Sequence, residues 1–160
     1  MANKQGYQVV HPPNLLKAKL GGEPIYDAAA VARAEAALEA LKGDYEERLR
    51  DDLAALTAAL EAARAEPCEA GARLEAMRRC AHDVKGQAGT FGYALVTTLA
   101  ASLEALLRKA DRSDHRHLDL IQTHLSAMSV VLRDGIEGEG GESGRELGQR
   151  LRAAVAELVG

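Results

Sequence analysis

Apolar side chains recur along this chain at alternating intervals of three and four, the spacing that lines one face of a helix. One such run passes through Ala70, Leu74, Met77, Cys80, Ala81, Val84, Ala88 and Phe91. It predicts an amphipathic helix over about 68–90, with Pro67 at its start, where a missing N–H does no harm. Upstream, Leu49, Leu53, Leu56 and Leu60 predict a helix over about 45–65. An earlier helix starts at Asp27, a suitable N-cap, and turns Val31, Ala34, Leu38 and Leu41 inward as far as Lys42. Gly43 ends it and Asp44 caps the next. Glycine weakens a helix without forbidding it, so one continuous helix through Gly43 is the alternative.

Downstream, Gly92 separates the 68–90 helix from a fourth, about 94–109, built on Leu95, Leu99, Leu103, Leu106 and Leu107. A fifth, about 115–133, carries Leu118, Ile121, Leu125, Met128 and Leu132 inward. The segment DGIEGEGGESG, 134–144, has the composition of a flexible linker. A last amphipathic segment, about 145–158, either packs on the other helices or docks as a separate peptide. Short connections make consecutive helices antiparallel neighbours. The expected fold is therefore all-α, an antiparallel up-down four-helix bundle with an additional N-terminal helix and a C-terminal amphipathic helix. Three regions follow: an extended arm over 1–26, the helical bundle over 27–133, and a Gly-rich linker with its helix over 134–160. In the arm, Pro12-Pro13, Gly21-Gly22 and Pro24 interrupt any regular element. Its His11–Leu16 stretch either docks an apolar pair on the bundle or hangs loosely.

Composition agrees with helices packed on helices: 47% of the 160 residues are hydrophobic, yet there is one Phe and no Trp. No apolar run nears the roughly 20 residues of a membrane span, and MANKQGYQVV lacks the apolar stretch of a secretory signal. A cytoplasmic protein without membrane partners is expected. A net charge of −4 argues against nucleic acid as the partner. Cys68 and Cys80 lie too far apart on one helix to bridge, and read as small buried residues.

The clustered cations surround one histidine. On a helical wheel His82 lies roughly opposite the apolar arc, and Glu75, Arg78, Arg79, Lys85, Gly86 and Gly89 fall within about 60° of it. His82 thus faces water beside cations and two glycines. A glycine inside a helix costs about 1 kcal/mol relative to alanine, so two within a turn need a reason. The simplest is clearance for another molecule to approach the imidazole. Neutral imidazole is a nucleophile near neutral pH, and a phosphoryl group on it would carry negative charge that Lys85, one turn away, could balance. No phosphate-binding glycine loop or kinase signature set is present. A nucleophile without a nucleotide site suggests a group carrier served by other proteins.

His82-Asp83-Val84-Lys85-Gly86-Gln87-Ala88-Gly89-Thr90-Phe91-Gly92 resembles the H-x-x-K-G-[S/Q]-A-x-x-[L/F]-G signature of histidine-containing phosphotransfer (HPt) domains. Leu99, Leu103 and Glu104 resemble the L…LE that often follows. The resemblance implies a four-helix bundle that accepts a phosphoryl group on His82 from a receiver-domain aspartate or a histidine kinase, and passes it to a response regulator. It implies Lys85 as the adjacent cation, Gly86 as the position keeping the approach open, and structural roles for Ala81, Ala88 and Gly92. Gln87 points away from His82 on the wheel and takes no part. No residue can be assigned to the second ring nitrogen. Glu75, Arg78, Arg79, Gly86 and Gly89 are candidate partner contacts. The expected partners are response-regulator receiver domains and an upstream (hybrid) histidine kinase. The chain itself should bind no cofactor and act as a monomer, with Mg²⁺ held in the partner receiver domain.

Two other readings remain. One is a helical adaptor binding signalling partners through the Arg78/Arg79/Lys85 face without a covalent step. The other is a kinase fragment labelled from a kinase and ATP directly. His115, His117 and His124 do not suggest a metal: the first two diverge on a helix, no Cys or carboxylate completes a set, and they read as solvated surface histidines.

Overall fold

The computed structural model describes residues 27–66, 68–111 and 114–159. The expected arm over 1–26 and the expected helix start at Pro67 lie outside the described residues. Five helices and no strand are present among the described residues: α1 Ala28–Ala65, α2 Ala70–Ala88, α3 Ala94–Lys109, α4 His115–Arg133 and α5 Gly141–Val159. The chain divides into two units, Met1–Ala37 and Leu38–Gly160. Of the first, the described residues hold the N-cap, where Asp27 Oδ1 accepts from the Ala29 N–H at 3.0 Å.

The expected break at Gly43 does not occur. α1 runs through it, so the separate N-terminal helix is the first part of a single long one. Gly43 is exposed, and a Cβ built there meets nothing within 4 Å. Its helix-weakening effect of about 1 kcal/mol is small against the leucines that anchor the helix further on. Leu38 and Leu41, expected inside, are 66% and 55% exposed, and Ala34 is exposed too. The buried series begins only at Tyr45, whose ring stacks on Phe91 at 4.2 Å and closes the core at that end. It continues through Leu49, Leu53, Leu56, Leu60 and Ala63.

From there the pattern agrees with the expected bundle. α2 buries Ala70, Leu74, Met77, Ala81, Val84 and Ala88, one narrow stripe. α4 is capped by Asp114, whose side chain accepts from the Arg116 N–H at 2.9 Å, and buries Leu118, Ile121, Leu125, Met128, Val131 and Leu132. Four, five and five residues separate the successive helices α1 to α4, short enough to make neighbours antiparallel. These faces share one apolar core with α3. Arg64 donates to Asp119 at 2.9 Å, tying α1 to α4, and the Tyr93 hydroxyl donates to Glu46 of α1. α2 closes on Gly92, whose φ of +89° only glycine adopts without strain.

α3 is buried over a much wider arc than the others, because α5 covers a side of it that a four-helix bundle leaves open. The segment before α5 is not a loose linker. Gly138 accepts from the Leu95 N–H at 2.8 Å and donates to Gly92 at 2.7 Å. It is thereby stitched to the α2–α3 junction, with φ +62° at Gly138 itself. α5 also begins earlier than expected, at Gly141. It runs parallel to α3: Gly144 lies beside Leu95, Gly148 beside Thr98, and the Val159 carbonyl accepts from Lys109 at 2.9 Å. A Cβ at Gly144 would meet Glu139 O at 2.2 Å and Leu95 Cδ2 at 3.0 Å, so the turn and the helix approach require a bare backbone there.

The histidines of α4 differ from expectation. His115 is exposed, but His117 is buried and His124 fully so. His124 Nδ1 lies 2.8 Å from the Leu120 carbonyl and Nε2 2.9 Å from Ser102 Oγ. A carbonyl only accepts, so Nδ1 carries the proton and the Ser102 hydroxyl donates to Nε2. Burial pushes the His124 pKa down, which keeps the ring neutral. Cys68 is exposed and Cys80 only half-buried, so the cysteines are not the buried pair expected. Burial raises the Cys80 thiol to about 11.

Two glycines offer opposite tests. Gly43→Ala should raise stability by about 0.5–1 kcal/mol, because the helix gains propensity and nothing is displaced. Gly144→Ala should lower it by about 1–3 kcal/mol through overpacking against a backbone carbonyl. Urea midpoints of the two variants check both signs.

Candidate functional site

His82 stands on the outer face of α2, opposite the buried stripe that runs from Ala70 to Ala88, and its side chain is 59% exposed. On the helix below it, Met77, Ala81 and Val84 point into the core. The ring is therefore carried by a rod whose other side is locked. The expected exposure of His82 is what the structure shows.

The partner of the second ring nitrogen comes from α3. His82 Nδ1 lies 3.3 Å from Glu104 Oε1. Glu104 sits on the wide buried arc of α3, one turn after Ala100 and one before Leu107, and its side chain is 8% exposed. An acid in that position must be paired or neutral. It is paired several times over. Lys85 donates to Oε2 at 2.6 Å, Arg108 donates to Oε1 at 3.2 Å, and Arg78 Nη1 stands 3.8 Å away. The Lys85 hydrogen bond, with that of His82, holds the Glu104 carboxyl down at about 2.

That ionised carboxylate decides the tautomer. A carboxylate has no proton to give, so the Nδ1 contact requires N–H on Nδ1. Lys85 Nζ is also 3.4 Å from Nδ1, but its short bond is to Glu104, and both N–H groups converge on the same acceptor. Nε2 keeps the ring's lone pair, and no side chain or backbone group among the described residues bonds it. Glu104 was in plain view in the sequence as an acid inside an otherwise apolar stretch, and only its partner was not.

The other expected residues fall as follows. Lys85 is on the site but ion-paired rather than free. Arg78 donates twice to Glu75, at 2.8 Å each, and Arg79 reaches the same carboxylate at 3.4 Å. These bonds hold Glu75 below the usual carboxylate range. The patch is thus a chain of alternating charge along α2 and α3 with cations in excess, not a bare positive face. Gly86 is exposed, and a Cβ there meets nothing within 4 Å. No internal contact explains this glycine. Gly89 follows the last helical residue as the C-cap, with Thr97 Oγ1 of α3 at 3.4 Å from a Cβ placed on it. Among the described residues no group of three His, Cys, Asp or Glu side chains converges as a metal site, and no helix is long and apolar enough to cross a membrane.

Comparison with known families matches the Hpt domain over residues 40–130. The chain therefore belongs to the Hpt domain family, whose members serve phosphotransfer in two-component signalling and interact with receiver domains and kinases. Comparisons with curated proteins and with solved structures gave no match. The match covers α2, α3 and nearly all of α4, together with α1 from residue 40 onward, and stops short of α5.

A Glu104→Gln variant tests the ion network. The folded carboxyl is held at about 2 against an ordinary 4.5. Its ionised form therefore adds stability in full above pH 4.5, and that contribution is lost as the pH falls toward 2. At pH 7 the variant should be less stable by about 1–3 kcal/mol, the range for hydrogen bonds to charged groups. The gap between wild type and variant should close as urea titrations step down through that window.

Proposed function

We propose that the chain is a monomeric phosphorelay carrier in which His82 Nε2 takes a phosphoryl group from a receiver-domain aspartyl phosphate, or from a histidine kinase, and gives it to a response regulator. The observation that carries this reading is the division of labour between the two ring nitrogens. Nδ1 is anchored to a buried carboxylate while Nε2 keeps its lone pair on an exposed ring.

The lone pair of Nε2 attacks phosphorus, the N–P bond forms, and the P–O bond to the aspartate breaks with its electron pair leaving on the carboxylate oxygen. No proton moves at Nε2. The ring becomes an N-phosphorylated imidazolium still carrying its Nδ1 proton, and Glu104 opposes that new positive charge at 3.3 Å. Passing the group on reverses these steps. Lys85, bonded to Glu104 and 3.4 Å from Nδ1, places a positive charge next to the ring that receives the phosphoryl group. Arg78 and Arg79 act from the rim, and the cleared backbone at Gly86 and Gly89 lets the partner come close. Mg²⁺ belongs to the receiver's own acidic pocket. The adaptor alternative draws on the same ion-paired cations, Arg78, Arg79 and Lys85, and leaves the oriented, exposed imidazole without a role.

Incubation with a phosphorylated receiver domain and Mg²⁺ should place acid-labile, base-stable label on the wild type and none on His82→Gln. Label that persists in that variant overturns the reading. Glu104→Gln should retain the label site but slow transfer on the order of 10- to 100-fold, the equivalent of one charge-assisted hydrogen bond. Gly86→Gln should fold as well as wild type or better, since nothing inside the molecule opposes the added side chain. Its transfer should nevertheless be blocked. Stopped-flow transfer rates beside thermal melts separate the two effects.

A further inference from the structure

The His82 face continues into a groove whose second wall, α5, lies beyond the residues of the family match. α3 and α5 lie close where Gly144 and Gly148 face Leu95 and Thr98. Farther along, their facing residues leave an open trough of about 640 Å³. Its floor is apolar: Ala101 and Ala105 from α3, Val155, Ala156 and Val159 from α5. Its rim is cationic, with Lys85, Arg108 and Arg152 at the edge and no acidic side chain in the lining. Lys85 and Arg108 both bond Glu104, the residue that holds His82. Arg152 has no ion-pair partner among the described residues.

We propose that this α3–α5 groove is a docking site for the receiver domain that exchanges phosphate with His82, and that it takes an amphipathic helix of that domain with an apolar inner side and acidic flanks. The inference rests on the carrier reading above. Two observations select the occupant. Of the rim cations, Lys85 and Arg108 share the single Glu104 carboxylate and Arg152 has no acid among the described residues, so the rim keeps an excess of positive charge that complements carboxylates and repels a basic segment. The trough shares Lys85 with the transfer site, so whatever lies in it stands beside the residue that carries the phosphoryl group. A resident occupant would obstruct every exchange, whereas the transfer partner is needed there. α5 then acts as a selectivity wall: it supplies half of the groove and none of the chemistry.

The test uses the full chain and substitutions at exposed groove positions. Ala105→Gln and Ala156→Gln fill the trough, and Arg152→Glu reverses a rim charge. A panel of purified receiver domains from the same genome is screened against the wild type, and the receiver that exchanges label fastest is used. Each groove variant should raise the receiver concentration for half-maximal transfer about tenfold, one order in affinity, with the rate at saturation unchanged. Arg152→Glu should also flatten the salt dependence of transfer. Labelling of His82 by phosphoramidate, a small phosphoryl donor that needs no docking, should be equal in all variants and wild type.

The outcomes separate the two proposals. If no receiver labels the wild type, the carrier reading fails and the groove assignment falls with it. If the wild type exchanges and the variants do so with unchanged half-maximal concentration, the groove assignment alone is overturned. Sedimentation that shows wild-type dimers dissociated by Ala156→Gln would make the groove a contact between two copies, and would equally overturn it.

Discussion

One buried carboxylate organises the functional side of this molecule. Glu104 leaves α3 at a position flanked by Ala100 and Leu107 and is nearly enclosed, where an unpaired charge would be strongly unfavourable. Lys85 and His82 of α2 keep it ionised, with Arg78 of α2 and Arg108 of α3 itself at ion-pair distance. The consequence reaches beyond the ion pairs. With its two oxygens committed as acceptors, Glu104 fixes which nitrogen of His82 bears the proton, and the packed stripe of α2 behind the histidine fixes where the ring stands. A lone imidazole on an exposed helix would sample both tautomers and several rotamers. Here the tautomer is set by one interaction, and that interaction depends on α2 and α3 keeping their register.

This dependence explains which parts of the molecule were legible in the sequence. The inward faces of α2 and α4 followed directly from apolar spacing, because each buries a single stripe, whereas on α3 the spacing marked the leucines but not the second side that α5 covers. His82, Lys85 and Gly86 were legible for the complementary reason, as polar and bare positions opposite such a stripe. What spacing could not reveal was pairing between helices. Glu104 entered the sequence reading only through its resemblance to the L…LE pattern, and nothing local tells which side chain, twenty-two positions earlier, meets it. His124 carries the same lesson. It sits on the stripe between Ile121 and Met128, and its burial was signalled by that position, but a histidine's polar atoms suggested solvent until Ser102 and the Leu120 carbonyl were seen to satisfy them.

The glycines misled for a different reason. At Gly43 the sequence is compatible with a break or with a continuous helix, and the composition of 134–144 suggests a linker, because glycine frequency reports backbone permissiveness without saying how it is used. In α1 the permissiveness goes unused and the helix continues. Around Gly138 it is used to the full, turning the chain so that its peptide group bonds both Gly92 and Leu95. At Gly144 the absent Cβ admits a carbonyl and a leucine side chain. One residue type therefore serves as a neutral passenger, a turn and a close-packing point within the same chain.

Gly86 belongs to none of these classes, and that makes it informative. Its backbone is helical, it is exposed, and no neighbour occupies the space a side chain would take. Alanine there would be favoured by helix propensity alone. A cost without internal return fits the proposed carrier role, in which a partner surface approaches α2 within the depth of a side chain. Gly43 meets the same internal criteria, so the criteria are not sufficient by themselves. What distinguishes Gly86 is its place, one turn beyond His82 and next to Lys85, where the approach of another molecule would bring its atoms to the unpartnered ring nitrogen. In the carrier reading proposed above, glycine, cation and oriented imidazole are separate requirements of a single event, the meeting of two proteins at one nitrogen atom.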